Sequence, residues 1–230
     1  KKFYEMFERN TPKFGSCYTV FIPFPTVILS TYEDVKEAFI TKGDIFMGRP
    51  HSPVHDLFTF TPNGGVINAN GPEWREQRRT AISILRDFGM GKNLMEQQVV
   101  AHIERSSNSV RKRAKNSFIL PDTIERKMIS NVINQTLFGF RYKYDDCDEL
   151  IDYVEGVNKN MFAQLFAFIR RHVDRALADF DPKEDEPTCF VHAYAQRMIT
   201  NDMLTYDQLC STAHDFFLAG QETTATTLRW

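Results

Sequence analysis

No stretch of about eighteen consecutive apolar residues occurs in this 230-residue sequence, so no part of it reads as a membrane-spanning helix. Its four cysteines, Cys17, Cys147, Cys189 and Cys210, lie far apart with no Cys-x-x-Cys pair, which excludes a clustered zinc site and gives no disulfide framework. A reducing compartment fits. There is no basic tail either: 28 Lys and Arg stand against 30 Asp and Glu, a net charge of −2, which argues against a dedicated nucleic-acid binder. Internal repeats are absent, and so is an initiator methionine. Because the sequence opens on Lys1-Lys2-Phe3 and stops at Trp230 inside a helical pattern, it is expected to be an internal segment of a longer chain, with any upstream targeting helix out of view.

What is present is apolar and aromatic. A hydrophobic content of 42%, with twenty phenylalanines, implies a large core or an apolar cavity. The periodicity is mostly helical. Residues 3 to 9 read as a short helix, and the runs 17 to 22 and 26 to 29, joined through Pro23-Phe24-Pro25, read as a hairpin. Thr31 with Asp34 caps a helix that reaches about Thr41 and ends at Lys42-Gly43. Further helices are expected over 93 to 116, 124 to 138 (ending at Gly139), 147 to 178 and 189 to 199. The fold class is mainly α with a small β-sheet.

Between Phe46 and Asn70 the periodicity lapses, prolines stand at 50, 53 and 62, and Gly64-Gly65 follows, a pattern of a long ordered loop that can bind. His51 and His55 have the spacing of a helical metal pair, but Pro53 between them opposes a helix, and no metal ligand is assigned. Asn70-Gly71-Pro72-Glu73 starts the next helix. On it Trp74 and Arg78 share a face with Ile82 and Leu85. An indole N–H beside a guanidinium suits a buried carboxylate, and spacing alone leaves equally open a solvated helix with a packed tryptophan.

The last helix opens at Thr205, where Thr205-x-x-Gln208 has the form of a capping box. Leu209, Ala213, Phe216, Phe217 and Leu218 give it a buried face. Then comes Ala219-Gly220-Gln221-Glu222-Thr223-Thr224, with Thr226 and Thr227 beyond, residues that weaken a helix. The Thr223 hydroxyl can bond the Ala219 carbonyl and bend the helix, while Gly220 lets another molecule approach the backbone. Glu222 next to Thr223 sets an acid beside an alcohol, an arrangement suited to proton delivery; the plainer alternative is a kinked core helix with a surface glutamate.

From end to end the chain resembles the cytochrome P-450 monooxygenases, specifically the animal microsomal group. Phe46-Met47-Gly48-Arg49-Pro50 is similar to that group's Phe-x-x-Arg-Pro segment, and the stretch from Gly65-Val66-Ile67 through Trp74-Arg75-Glu76-Gln77-Arg78-Arg79 to its helix C. Leu85-Arg86-Asp87-Phe88-Gly89-Met90-Gly91 continues that likeness, Phe138-Gly139-Phe140-Arg141 resembles the end of helix E, and Ala219 to Thr224 the helix I signature.

The resemblance implies the N-terminal part of the cytochrome P-450 fold, residues 1 to 230 forming an incomplete domain that ends within helix I. It implies haem as cofactor, with Trp74 and Arg78 on a propionate, Ala219, Gly220 and Thr223 lining the oxygen pocket, and Glu222 and Thr223 relaying protons. Phe58 and Phe60 would wall the substrate region. A complete form would take electrons from NADPH through a reductase, hydroxylate a lipophilic small molecule, and work at the cytosolic face of the endoplasmic reticulum membrane. The family's Glu-x-x-Arg pair and cysteine-ligand loop are absent, so no haem-iron ligand is assigned and the fragment alone is expected to be inactive. Around Phe162 to Ile169 the chain passes from the helix F region into late helix G without the usual roof. The competing class is a non-enzymatic truncated helical product that binds apolar ligands or partners.

Overall fold

In a computed structural model, residues 3–50, 61–113, 121–144, 146–147, 149–150 and 162–228 are described. They fall into two compact units, Lys1–Arg49 and Pro50–Trp230.

In the first unit, α1 (Phe3–Phe14) leads into a hairpin of β1 (Cys17–Phe21) and β2 (Pro25–Leu29), antiparallel with Cys17 opposite Leu29 and Phe21 opposite Pro25. Beyond it, α2 (Tyr32–Lys36) begins where the Asp34 N–H donates to the Thr31 hydroxyl at 3.3 Å. A π-type turn, Glu37–Thr41, and the short α3 (Gly43–Phe46) complete the unit. The hairpin and the capped helix are as the sequence predicts; α1 is longer than predicted, continuing through Pro12 to Phe14.

Six helices are described in the second unit: α4 (Gly71–Asp87), α5 (Asn93–Arg113), α6 (Pro121–Phe138), α7 (Phe162–Leu177), α8 (Phe190–Met198) and α9 (Tyr206–Leu228). Their core gathers around α9. Leu209, Cys210, Ala213 and Phe217 on that helix are fully buried among Ile84 of α4, Phe138 of α6, Phe166 and Ile169 of α7, and Phe190 and Tyr194 of α8. Each large apolar side chain so buried contributes about 1.5–3 kcal/mol. α6 stops where Gly139 takes φ +80°, a left-handed position that favours glycine, and a Cβ there would come within 3.3 Å of Cys189. Among the described residues no helix is long and apolar enough to cross a membrane, and no group of His, Cys, Asp and Glu is placed to hold a metal.

Candidate functional site

The site is built on α4, which is fastened to the protein by polar contacts on its buried face. Gln77, 1% exposed, donates its amide N–H to the Met203 carbonyl at 3.0 Å and accepts from the Tyr194 hydroxyl. Arg197 of α8 donates to the Thr80 carbonyl at 3.3 Å, to Ser83 at 3.1 Å and to Asp87 at 3.2 Å. Held in this way, the helix turns Trp74, Arg75, Arg78, Arg79, Ile82, Ser83 and Arg86 around a shallow recess of about 360 Å³. The Arg78 guanidinium lies 5.8 Å from the centre of the Trp74 ring, a cation–π approach, and Arg79 pairs with Glu76 at 2.5 Å.

Trp74 and Arg78 are thus brought together as their spacing predicts. The indole N–H, however, donates to the Val66 carbonyl at 3.0 Å. Arg75, three residues before Arg78 and so on the same side of the helix, lines the same recess.

Val66 belongs to a loop that is clamped onto α9. The Val66 and Ile67 N–H groups both donate to Oδ2 of Asp215, at 2.7 and 2.9 Å, and Asp215 is 2% exposed. Gly65, at φ +76°, approaches so closely that a Cβ would stand 2.3 Å from that same oxygen. Gln208, one further clamp, accepts from the Gly65 N–H at 3.1 Å and donates to the Asn63 carbonyl at 3.3 Å. Only half of the expected capping box therefore forms: the Gln208 N–H donates to the Thr205 hydroxyl at 3.2 Å, while the Gln208 amide is drawn to the loop and not back to Thr205. The loop closes on itself through Asn63, whose amide oxygen accepts from the Asn70 N–H at 2.7 Å at the foot of α4.

Four residues beyond Asp215 comes the segment the sequence singles out. The Thr223 hydroxyl donates to the Ala219 carbonyl at 2.5 Å, as predicted, and Thr227 repeats the bond to Thr223 at 2.8 Å. The helix runs unbroken from Tyr206 to Leu228. Ala219 and Thr223 are exposed, on the face away from Phe217, Gln221 and Ala225. Gly220 does something different from what its sequence context suggests. A Cβ on it would lie 2.9 Å from Cδ1 of Ile133, so its bareness admits the side of α6. Gln221 is buried beside it and accepts from Ser130 of α6 at 2.7 Å. Glu222 lies within α9, its side chain outside the described atoms, and Phe58, Phe60, His51 and His55 lie outside the described residues.

Sequence reasoning passes over Asp215 and reads Gln208 only as a helix cap, yet both join α9 to the loop. Their signal is polarity on a buried face next to the close-approach pair Gly64-Gly65, and it becomes readable only once the partner loop is known.

Against known proteins, the family model of cytochrome P450 matches residues 1–177 and 155–230. The chain belongs to the cytochrome P450 family. It is 30% identical to cytochrome P450 2F3 of Capra hircus, over 94% of this chain and 50% of that protein. With cytochrome P450 2F5 of Gorilla gorilla gorilla it shares 31% identity over 95% of this chain and 51% of the relative, and with cytochrome P450 2H2 of Gallus gallus 30% over 98% and 52%. This cytochrome P450 chain spans about half the length of the curated relatives it matches.

Family membership implies haem, and the residues present suit part of it. Four arginines around one recess, with Glu76 directed to Arg79, leave a cationic surface complementary to a carboxylate such as a propionate. The exposed Ala219 and Thr223 carry no bulky side chain that would keep a flat apolar group from the helix. A thiolate is another matter. Burial pushes the Cys189 and Cys210 thiols up to about 11, so neither of these two sits where a thiolate is favoured.

Proposed function

We propose that this chain is the part of a haem-dependent monooxygenase that holds a haem propionate and presents the oxygen-side helix. Its complete form would insert one atom of dioxygen into a lipophilic small molecule, with electrons from NADPH delivered by a reductase at the endoplasmic reticulum membrane. One observation carries the reading: the recess of Trp74 and Arg78 is tied through Val66 to Asp215, one turn before Ala219 and Thr223, so both halves of the family's motif hang on one hydrogen-bonded path.

Haem, when bound, supplies the activation of dioxygen. Arg78 would pair with a propionate, its fork of donors matched to a carboxylate, with Arg75 and Arg86 adding positive potential around it. Thr223 holds its proton toward the Ala219 carbonyl; turning that hydroxyl outward would present the proton on the exposed face of α9, with Glu222 as the adjacent acid to replace it. Burial keeps the Cys189 and Cys210 thiols protonated, which speaks against either of them as a thiolate ligand to haem iron. The 253-residue alignment with the Capra hircus relative exceeds the 230 residues of this chain, so the relative has residues within the match that this chain lacks.

The test is made on a full-length protein that contains this stretch. Thr223→Ala should leave haem content intact, lower product formed per NADPH consumed by about tenfold, and raise peroxide, while Thr223→Ser preserves most of the coupling. Unchanged coupling and peroxide in Thr223→Ala would remove the proton-relay role.

A further inference from the structure

α7 carries a histidine in an unusual setting. His172, 4% exposed, stacks on Phe168 with ring centres 3.8 Å apart and has Phe138 and Phe140 at 5.2 Å, yet both of its nitrogens face polar partners. Nδ1 lies 2.9 Å from the Phe168 carbonyl, and Nε2 lies 2.8 Å from the Tyr142 hydroxyl. That hydroxyl is also 2.9 Å from Oε2 of Glu149, whose other oxygen accepts from Arg171 at 2.8 Å.

Counting protons along this chain decides its character. A carbonyl can only accept, so Nδ1 carries a hydrogen, and a neutral imidazole then presents a bare lone pair at Nε2. Tyr142 has one proton and two neighbours, Nε2 and the Glu149 carboxylate, that can each only accept it. One of the two contacts is left without a hydrogen. A single added proton completes the chain in either of two ways. It can sit on Nε2, donating to the tyrosine oxygen while Tyr142 donates to Glu149. Otherwise it sits on Glu149 Oε2, donating to the tyrosine oxygen while Tyr142 donates to Nε2. The two forms interconvert when the Nε2–H bond breaks as the Tyr142 O–H forms, and the old Tyr142 O–H breaks as the Glu149 O–H forms.

We infer that Glu149, Tyr142 and His172 make one proton-binding site, running from the buried imidazole to the half-exposed carboxylate, which takes up a single proton shared between its two ends through the tyrosine hydroxyl. The site ties α7 to the segment that follows α6, and it is independent of the haem reading. Two of the charged groups facing it, Arg171 and Arg175 of α7, oppose uptake, the latter standing 3.9 Å above the Phe140 ring; Glu149 favours it. Among the described residues, α6 and α9 present Phe138 and Phe217, and α8 presents His192, which bonds the Ala176 carbonyl at 2.8 Å one turn further on. Burial, with Glu149 beside it, pushes the Tyr142 hydroxyl up, so the tyrosine passes a proton without ionising. Burial holds His172 down at about 4; for Glu149 burial works upward, but the hydrogen bonds from Arg171 and Tyr142 bring it below the usual carboxylate range. Uptake by the folded protein therefore belongs to acid conditions.

The experiment follows the His172 ring nitrogens and the Glu149 carboxyl carbon by NMR in the full chain as pH falls, with a His172→Gln spectrum to assign the ring. The expected result is a Nδ1–H tautomer at neutral pH and one common midpoint for both groups. Tyr142→Phe should split that midpoint and weaken proton uptake at His172 by about 10- to 100-fold, because a charged donor loses its acceptor. Glu149→Gln, at a half-exposed position that should not threaten folding, lets the new side-chain amide donate to Tyr142 and Tyr142 to Nε2, so the ring should stay neutral well below the wild-type midpoint. An Nε2–H tautomer in the wild type would overturn the shared site. So would separate midpoints for His172 and Glu149, or a His172 midpoint unmoved by both substitutions.

Discussion

Replacing Asp215 with alanine removes the acceptor of two backbone N–H groups at once and leaves Val66 holding Trp74 without an anchor of its own. The Val66 bond at 2.7 Å is the stronger, a charge-assisted contact to a carboxylate that is 2% exposed. Ile67 is 42% exposed, so its N–H can turn to water and the loss there is smaller. Hydrogen bonds to a charged acceptor contribute about 1.5–3 kcal/mol each, so Asp215→Ala should cost about 2–4 kcal/mol, a large share of the roughly 5–15 kcal/mol that holds a domain folded. Asp215→Asn keeps an oxygen able to accept from both N–H groups and loses only the charge, so about 1 kcal/mol is expected. Urea unfolding gives the total, and amide exchange at Val66, Ile67 and the Trp74 indole gives its location. In Asp215→Ala those three protons should exchange much faster, while Ala213 and Phe217 slow or quicken only with global stability. A midpoint within about 0.5 kcal/mol of wild type, with all three protons still protected, would refute the clamp.

Tyr194→Phe should cost about 1–2 kcal/mol in urea unfolding, because it strands the buried Gln77 oxygen that now accepts from the hydroxyl. Gly220→Ala should cost about 1–3 kcal/mol by overpacking against Ile133, and Ile133→Val, which removes the Cδ1 atom 2.9 Å from the new methyl, should recover part of the loss in the double mutant. A purely additive pair would count against that contact. His172 titrates near 4 when folded and near 6.5 when unfolded, so between those values the unfolded chain binds the extra proton. Stability should thus be fully present above pH about 6.5 and fall by about 3 kcal/mol as the pH drops to about 4. Denaturation at a series of pH values should show that slope in the wild type and lose it in His172→Phe.

The sequence is most legible where local chemistry fixes the answer. Thr31, Asn70-Gly71-Pro72, Gly139 and Thr205 mark element ends within a residue or two, because caps and left-handed positions depend on the chain nearby. Thr223 to Ala219 is a bond within one turn and reads the same way. Contacts between distant segments are not written locally. Nothing around Gly220 says that Ile133 lies against it, and the Gln208 amide has a reasonable partner at Thr205 until Gly65 and Asn63 arrive with better ones. His172 looks like one more polar residue on an amphipathic helix; only Phe140, Tyr142 and Glu149, distant in sequence, give it a ring beside it and a hydrogen-bonded path to a carboxylate.

Trp74 has a single polar hydrogen, whereas Arg78 has five, and this asymmetry orders their roles. A carboxylate entering the recess can be met by Arg78 at no cost to other contacts, but it can take the indole N–H only by displacing the Val66 carbonyl. Val66 is held from its other side by Asp215, so the anion, the loop and α9 are linked through one peptide group. If the carboxylate competes for the indole, tighter anchoring of the loop weakens anion binding, and by reciprocity a bound anion loosens the loop to the same extent in free energy. If it binds Arg78 alone, the two are independent and Trp74 acts as the loop's fastening and as the face over which the guanidinium lies. The 5.8 Å approach of Arg78 to the indole ring favours the second arrangement, since it places the guanidinium over the ring without using the N–H edge.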